Sequence, residues 1–497
     1  MPDRELLLKR EKLKDQLIQI YKEIDESLII KEERTSLPPS IKSKQNLSAF
    51  LKFRSMITLD LEDELLAQGL SSSRNIHSHV LYSLNAMIHN LSAQQENGLP
   101  FIHPFHPEEA AKMKNSRKTK LLGLPRNHHS QPIMVTLDRS MLKSPGIFTD
   151  LLNAGMTIAR INCAHDDPEI WREFFKRLRE GENKNFPCKV YMDLPGPKIR
   201  ITEIKSVKGY GEKLTIELTD GCMVRIYRSV QCKEEPQDSQ MISMGITLPK
   251  ALTNVKNGDR VYIDDGKISA VVINTEADYI EAKIINVHKN PVKLKTGKGL
   301  NFPDSLTYLN VPAITAHDLE CLPVICELAD IIGLSFAHQP RDIRRLKEHI
   351  EWLTSKNIGI VAKIETKEAF HHLGKILMEG LNLDSFGIMI ARGDLAVEMG
   401  FAQLPSLQNS IMLLCEAAHI PVIWATGVLE RMTKKGVPAR TEMTDVFHGL
   451  NADCIMLNKG PYITDAVHLI GQVDETREIL MQERNDSLFF PFVQYGF

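Results

Sequence analysis

Residues 386–394 read Phe386-Gly-Ile-Met-Ile-Ala-Arg-Gly-Asp394, an uncharged run that ends abruptly in ionic side chains. Upstream, Ile358-Gly-Ile-Val-Ala-Lys-Ile-Glu365 has the same form. Continuous apolarity, rather than alternation, marks a strand buried on both faces, as in parallel sheets. Six further runs share it, at 133–137, 157–162, 188–193, 330–335, 421–425 and 454–457, and helical patterns separate most of them. Eight β/α units in series predict an α/β fold, a closed (β/α)8 TIM barrel. An open doubly wound sheet is the alternative architecture.

Working outward, residues 198–309 break the rhythm. Met223-Val-Arg-Ile-Tyr and Arg260-Val-Tyr-Ile alternate with period two, and Asn257-Gly and Asp265-Gly signal turns. This predicts an all-β lid domain, a small β-barrel, inserted after strand 3 where barrel enzymes place their active sites. Residues 129–197 and 310–485 then form the barrel. Residues 1–128 read as a helical N-terminal extension, with one charged helix from 4 to about 34 and another around 79–91. Residues 486–497 are an apolar, aromatic tail, expected to dock on the protein or on a partner subunit.

Composition narrows the class of function. The 497 residues carry 61 Lys+Arg against 63 Asp+Glu, a net charge of −2, so the chain lacks the basic excess of a nucleic-acid or anionic-membrane binder. Its apolar runs are too short to span a bilayer. Eight cysteines without a CxxC pair suggest neither a disulfide framework nor a zinc ribbon. The N-terminus lacks the apolar core of a secretory signal. A reducing, cytoplasmic setting is expected.

The strand ends carry the chemistry. Lys363 and Glu365, two apart on an extended strand, share a face. Asp394 ends the next unit, so two carboxylates and a lysine meet at the barrel mouth. Such oxygen donors suit Mg²⁺, with Mn²⁺ a possible substitute. The lysine adds positive charge where negative charge develops. The plainer reading is a structural ion-pair cluster. Arg160 and Asn162 end strand 2 with His165 just beyond, residue types that suit phosphate. Strand 3 ends at Asp193 and leads to Lys198 and Arg200; Thr426 follows strand 7.

These segments resemble the pyruvate kinase family. Thr157-Ile-Ala-Arg-Ile-Asn-Cys-Ala-His165 resembles "NxARxNFSH", and Asp193 to Arg200 resembles "DTKGPEIR". Ile388-Met-Ile-Ala-Arg-Gly-Asp-Leu-Ala-Val-Glu398 resembles "IMVARGDLGVE", a long and specific match, and Pro421-Val-Ile-Trp-Ala-Thr426 resembles "PVICAT". Lys298-Gly-Leu-Asn301, in the insert, resembles "KKGVN". The resemblance implies phosphoryl transfer from phosphoenolpyruvate to ADP, giving pyruvate and ATP, by a homo-oligomer. It implies Mg²⁺ on Glu365 and Asp394, with Lys363 stabilising the phosphoryl group and the enolate. The N–H groups of Gly393 and Asp394 would receive the substrate carboxylate, Thr426 would lie on the proton path, and Ser335 would line the pocket. Arg160 would bridge the phosphates, and Asn162, His165, Arg200 and Lys298 would favour nucleotide.

The departures are specific. Of the family's K⁺ ligands, Asn162 and Asp193 remain, but the serine is Ala164 and the threonine is Leu194. The family's nearby glutamate is Lys198, whose ammonium could replace K⁺, so activity without K⁺ is expected. Strand 1 reads Thr136-Leu-Asp-Arg in place of "TIGP", Gly427 stands for a glutamine, and Asn458-Lys-Gly-Pro-Tyr462 replaces "SGETAKGDYP". The family's C-terminal regulatory domain has no room after residue 485, so no activation by fructose 1,6-bisphosphate at that site is expected. Another Mg²⁺-enolate barrel enzyme, a lyase or mutase, and an inactive scaffold are the competing functions.

Overall fold

A computed structural model describes residues 2–28, 37–70, 76–92, 106–126, 129–182, 187–206, 209–211, 215–232, 241–288, 291–305 and 311–486. Residues 487–497 of the apolar tail and the stretch beyond residue 28 in the first expected helix lie outside the described residues.

All eight apolar runs are strands. They are β1 (Ile133–Thr136), β2 (Met156–Asn162), β3 (Lys189–Asp193), β4 (Ile331–Leu334), β5 (Gly359–Ile364), β6 (Phe386–Ala391), β7 (Val422–Ala425) and β8 (Cys454–Leu457). Each pairs in parallel with its neighbours, and β1 pairs with both β2 and β8, so the sheet closes. Every residue of β5 and β6 is buried. One face points into the barrel and the other packs on the surrounding helices, which is why these strands carry no alternation. Closure excludes the open-sheet alternative.

The insert after β3 is all-β with its own apolar core, distinct from that of the barrel. Eight of its strands make one sheet, ending at Leu300–Asn301 on one side and Gly209–Gly211 on the other. The expected closure into a small barrel is not drawn among the described residues. There, Thr215–Leu218 and Val292–Lys295 pair only with each other, as a separate ribbon.

The leader supplies five helices: α1 (Pro2–Ser27), α2 (Pro39–Met56), α3 (Leu59–Ala67), α4 (Val80–Ser92) and α5 (Pro107–Leu122). The basic stretch 112–120 lies within α5. At its end, Leu121 and Leu122 are buried in a cluster with Met134, Ile158, Val361 and Met389, at the N-terminal end of the barrel. Glycine at 359 permits this approach, because a Cβ there would lie 2.6 Å from Leu121 Cδ1.

A second contact ties the leader to α13 (Leu404–Ala418). A helix leaves its last carbonyls without intrahelical donors. Here Asn46 Nδ2 donates to Ala417 O at 2.8 Å, and Arg117 Nη1 donates to Ala418 O at 3.0 Å. The buried His419 ring lies 2.9 Å from both Ser43 Oγ and Ser78 O. Burial pushes its pKa down to about 4. The folded ring therefore resists a proton that the unfolded ring accepts near pH 6.5. We expect stability from this junction to be complete above pH 6.5 and to fall by about 3 kcal/mol as pH drops toward 4. Urea midpoints across that window check this, and His419→Gln should flatten the fall.

Candidate active site

β2, β3 and β5 deliver alternating charges to the C-terminal mouth of the barrel. Asp193, at the end of β3, is almost fully buried. Its Oδ2 accepts from Arg160 Nε at 2.7 Å, and its Oδ1 accepts from Tyr191 Oη at 3.0 Å. Lys363 Nζ lies 3.6 Å from Asp193 Oδ1, 3.0 Å from Glu365 Oε1 and 2.8 Å from Ser335 Oγ. Glu365 Oε2 accepts from the Phe336 backbone N–H at 2.7 Å. Arg160 Nη1 donates to Thr136 Oγ1 at 2.9 Å.

Burial alone would raise the pKa of Asp193, but Arg160 and Lys363 outweigh it and hold the carboxyl below its usual value. Burial works against the charge on Lys363 too, and Asp193 and Glu365 reverse it, keeping the ammonium protonated. Glu365 moves the other way, because burial pushes its pKa up more than Lys363 lowers it.

Asp394 lies in the first turn of α12 (Arg392–Met399), where backbone N–H groups lack intrahelical partners and favour anions. Its Oδ1 accepts from Lys198 Nζ at 2.8 Å, and Lys198 also reaches Asp265 of the insert at 3.1 Å. A cavity of ≈ 210 Å³ brings these groups together. Arg160, Lys198, Arg200 and Lys363 line it beside Glu365 and Asp394. Asn162, Ser335 and Thr426 also reach it.

Other expected residues sit elsewhere. Lys298 Nζ pairs with Asp264 of the insert at 2.8 Å and does not line this cavity. His165 lines an adjoining cavity with Asp138, Lys434 and Lys459. Its pKa is lowered by burial, with Lys459 and Arg200 adding to the effect. Lys198 pairs with Asp394 and not with Asp193, whose charge Arg160 and Lys363 already balance. Gly393 is constrained, since a Cβ there would lie 2.8 Å from Thr426 Cγ2.

Sequence reading missed Tyr191, Asp265 and Asp445. Tyr191 stands two residues before Asp193 on the same strand face, so period two could have found it. Asp445 pairs with Arg392 across 53 positions, which no local pattern reveals.

Two hard carboxylates beside one cavity fit Mg²⁺, which fills much of its coordination shell with water and substrate oxygens. Among the described residues no group of three or more His, Cys, Asp or Glu side chains is arranged to hold a metal ion.

A closed barrel, an all-β insert after β3 and an ionic cluster at the strand C-termini define a lidded (β/α)8-barrel protein with its candidate site at the mouth. Residues 129–467 match the pyruvate kinase barrel domain, and the chain belongs to the pyruvate kinase family. It is 32% identical over 359 residues to the pyruvate kinase of Thermotoga maritima, covering 69% of each chain. Identity to the Thermococcus litoralis pyruvate kinase is 30%, covering 70% of each. Against the Geobacillus stearothermophilus pyruvate kinase it is 30%, over 68% of this chain and 56% of the relative.

Asp193→Asn should leave Arg160 as an uncompensated buried cation and Lys363 with Glu365 alone, and cost about 3–5 kcal/mol. Denaturant unfolding measures this, and a change below about 1 kcal/mol would contradict the charge-chain account.

Proposed function

We propose that the chain catalyses phosphoryl transfer from phosphoenolpyruvate to ADP, giving pyruvate and ATP. One observation carries the reading: Lys363, Glu365, Asp394, Arg160 and Thr426 line a single cavity at the mouth of a pyruvate kinase barrel. Four cations line this cavity beside two carboxylates, Glu365 and Asp394, while Asp193 and Asp265 pair with Arg160 and Lys198 from outside the lining; a lining of this kind favours a small polyanion. Phosphoryl transfer needs positioning and charge stabilisation more than covalent help from the protein.

In this reading Arg160 and Lys363 hold the phosphoryl group, and Lys363 also faces the charge that develops on the enolate oxygen. The N–H groups at Gly393 and Asp394 receive the substrate carboxylate. Thr426 relays a proton, through water, to the substrate methylene carbon. Asn162, Arg200 and His165 favour the nucleotide, and Lys298 would join them once released from Asp264. Glu365 and Asp394 would hold Mg²⁺, which supplies Lewis-acid stabilisation of the phosphate and enolate oxygens when bound.

We also propose that no monovalent cation is needed. Lys198 already places an ammonium at this cavity, and the buried charge of Asp193 is met by two fixed cations. Among the described residues no helix is long and apolar enough to cross a membrane, and we propose a cytoplasmic enzyme.

A coupled assay of ATP formation from phosphoenolpyruvate and ADP tests both statements. With Mg²⁺ and tetramethylammonium salts in place of K⁺, the wild type should turn over, and adding K⁺ should change the rate less than about twofold. Lys363→Met should lower kcat roughly 10²–10³-fold. Absence of ATP from folded wild type would favour a lyase, a mutase or an inactive scaffold; a strict K⁺ requirement would overturn the role of Lys198.

A further inference from the structure

The turn after β7 is left-handed at Thr426 (φ 66), Gly427 (φ 82) and Leu429 (φ 50). A β-branched residue avoids that region, so something must hold Thr426 there. Arg392, the first residue of α12, does so. Its Nε donates to Ala425 O at 2.9 Å, and its Nη2 donates to Thr426 O at 2.7 Å. Both Nη atoms also bond to the Asp445 carboxylate, on α15 (Arg440–Gly449), with Nη2 to Oδ2 at 2.8 Å. The guanidinium lies 4.4 Å from the centroid of the buried Trp424 ring.

Arg392 is thus fixed from three sides and spends its donors on backbone oxygens and Asp445, although it neighbours the residues expected to bind substrate and metal. A planar fork can do this, and an ammonium cannot. The segment resembling "PVICAT" carries Trp424 at the position of the cysteine, and it is this ring that lies beneath the guanidinium. Trp424 Nε1 has no hydrogen-bond partner, so the ring is placed for its face and not for its donor. Thr426 is held from the other side as well, with its methyl against Gly393.

We propose that Arg392, oriented by Asp445 and by the Trp424 ring, is a positioning residue that sets the Thr426 hydroxyl for proton delivery to the substrate. This rests on the phosphotransferase reading. In that step the enolate C2–O bond regains its carbonyl π bond, and the C2=C3 electron pair takes a proton to form the methyl group. Thr426 Oγ gives up that proton through water and regains one from solvent.

A double-mutant cycle separates positioning from stapling of the fold. Wild type, Arg392→Lys, Thr426→Ala and the double variant are compared by deuterium exchange into the pyruvate methyl in D₂O, with Mg²⁺ and ATP, followed by NMR. Arg392→Lys should slow exchange at least tenfold, on the scale of the roughly 10²-fold that a 1 Å misplacement can cost. In the Thr426→Ala background the same change should cost less than about twofold, and KM for phosphoenolpyruvate should move less than about twofold throughout. Equal losses in both backgrounds would overturn the proposal. Asp445→Asn, checked for folding by its thermal melt, repeats the cycle should Arg392→Lys not fold. Wild type without ATP formation or exchange sinks the phosphotransferase reading and this inference with it. Active wild type with an additive cycle sinks only the inference.

Discussion

The buried sequence of charges Arg160, Asp193, Lys363 and Glu365 is the constraint on which the rest of the site depends. Each ion would be costly alone in a desolvated barrel mouth. In series they are tolerable, because each carboxylate lies between donors and each cation faces a carboxylate. Such chains contribute little net stability compared with apolar packing. What they provide is order: Lys363 is held charged and aimed by three oxygens before any ligand arrives. A preorganised charge needs no reorientation during reaction.

Around that axis the molecule divides its labour. The barrel supplies fixed ions from successive strand ends. The insert contributes Asp265, which reaches Lys198 and so joins the lid to Asp394. Lys298 sits on Asp264 in the same turn of the insert. The lid is thereby attached through the Lys198–Asp394 ion pair, which an anionic ligand or a divalent cation could replace. α12 begins where β6 ends, and Arg392 and Asp394, two residues apart and so on different faces of the helix, have different tasks: one fixes backbone, the other lines the cavity.

Much of this was legible in the sequence, for reasons that can be named. Strands buried on both faces leave uninterrupted apolar runs, and all eight were visible as such. Strand period two put Lys363 and Glu365 on one face before any coordinates. The insert showed its alternation and turns, though not how its strands would pair, because the separate ribbon joins segments more than seventy residues apart. Lys198 was legible as a charge but not as a partner of Asp394, since pairing across a domain junction leaves no local pattern. Arg392 was visible within an Arg-Gly-Asp triplet, yet its fork onto Asp445 and two carbonyls depends on how α12 and α15 pack. The helical leader showed its periodicity and concealed its purpose.

The leader's last helix ends at the far end of the barrel. Leu121 and Leu122 occupy the floor like a cork, and the seat for Leu121 depends on a missing side chain at position 359. The part that matches the family begins at residue 129, just downstream of the cork. The stretch recognisable by kinship therefore leaves out two side chains that the barrel floor packs against. A chain trimmed to start there would carry an empty greasy socket. During synthesis the order is favourable, because α5 leaves the ribosome ahead of every stave and can be waiting when β8 arrives to complete the ring.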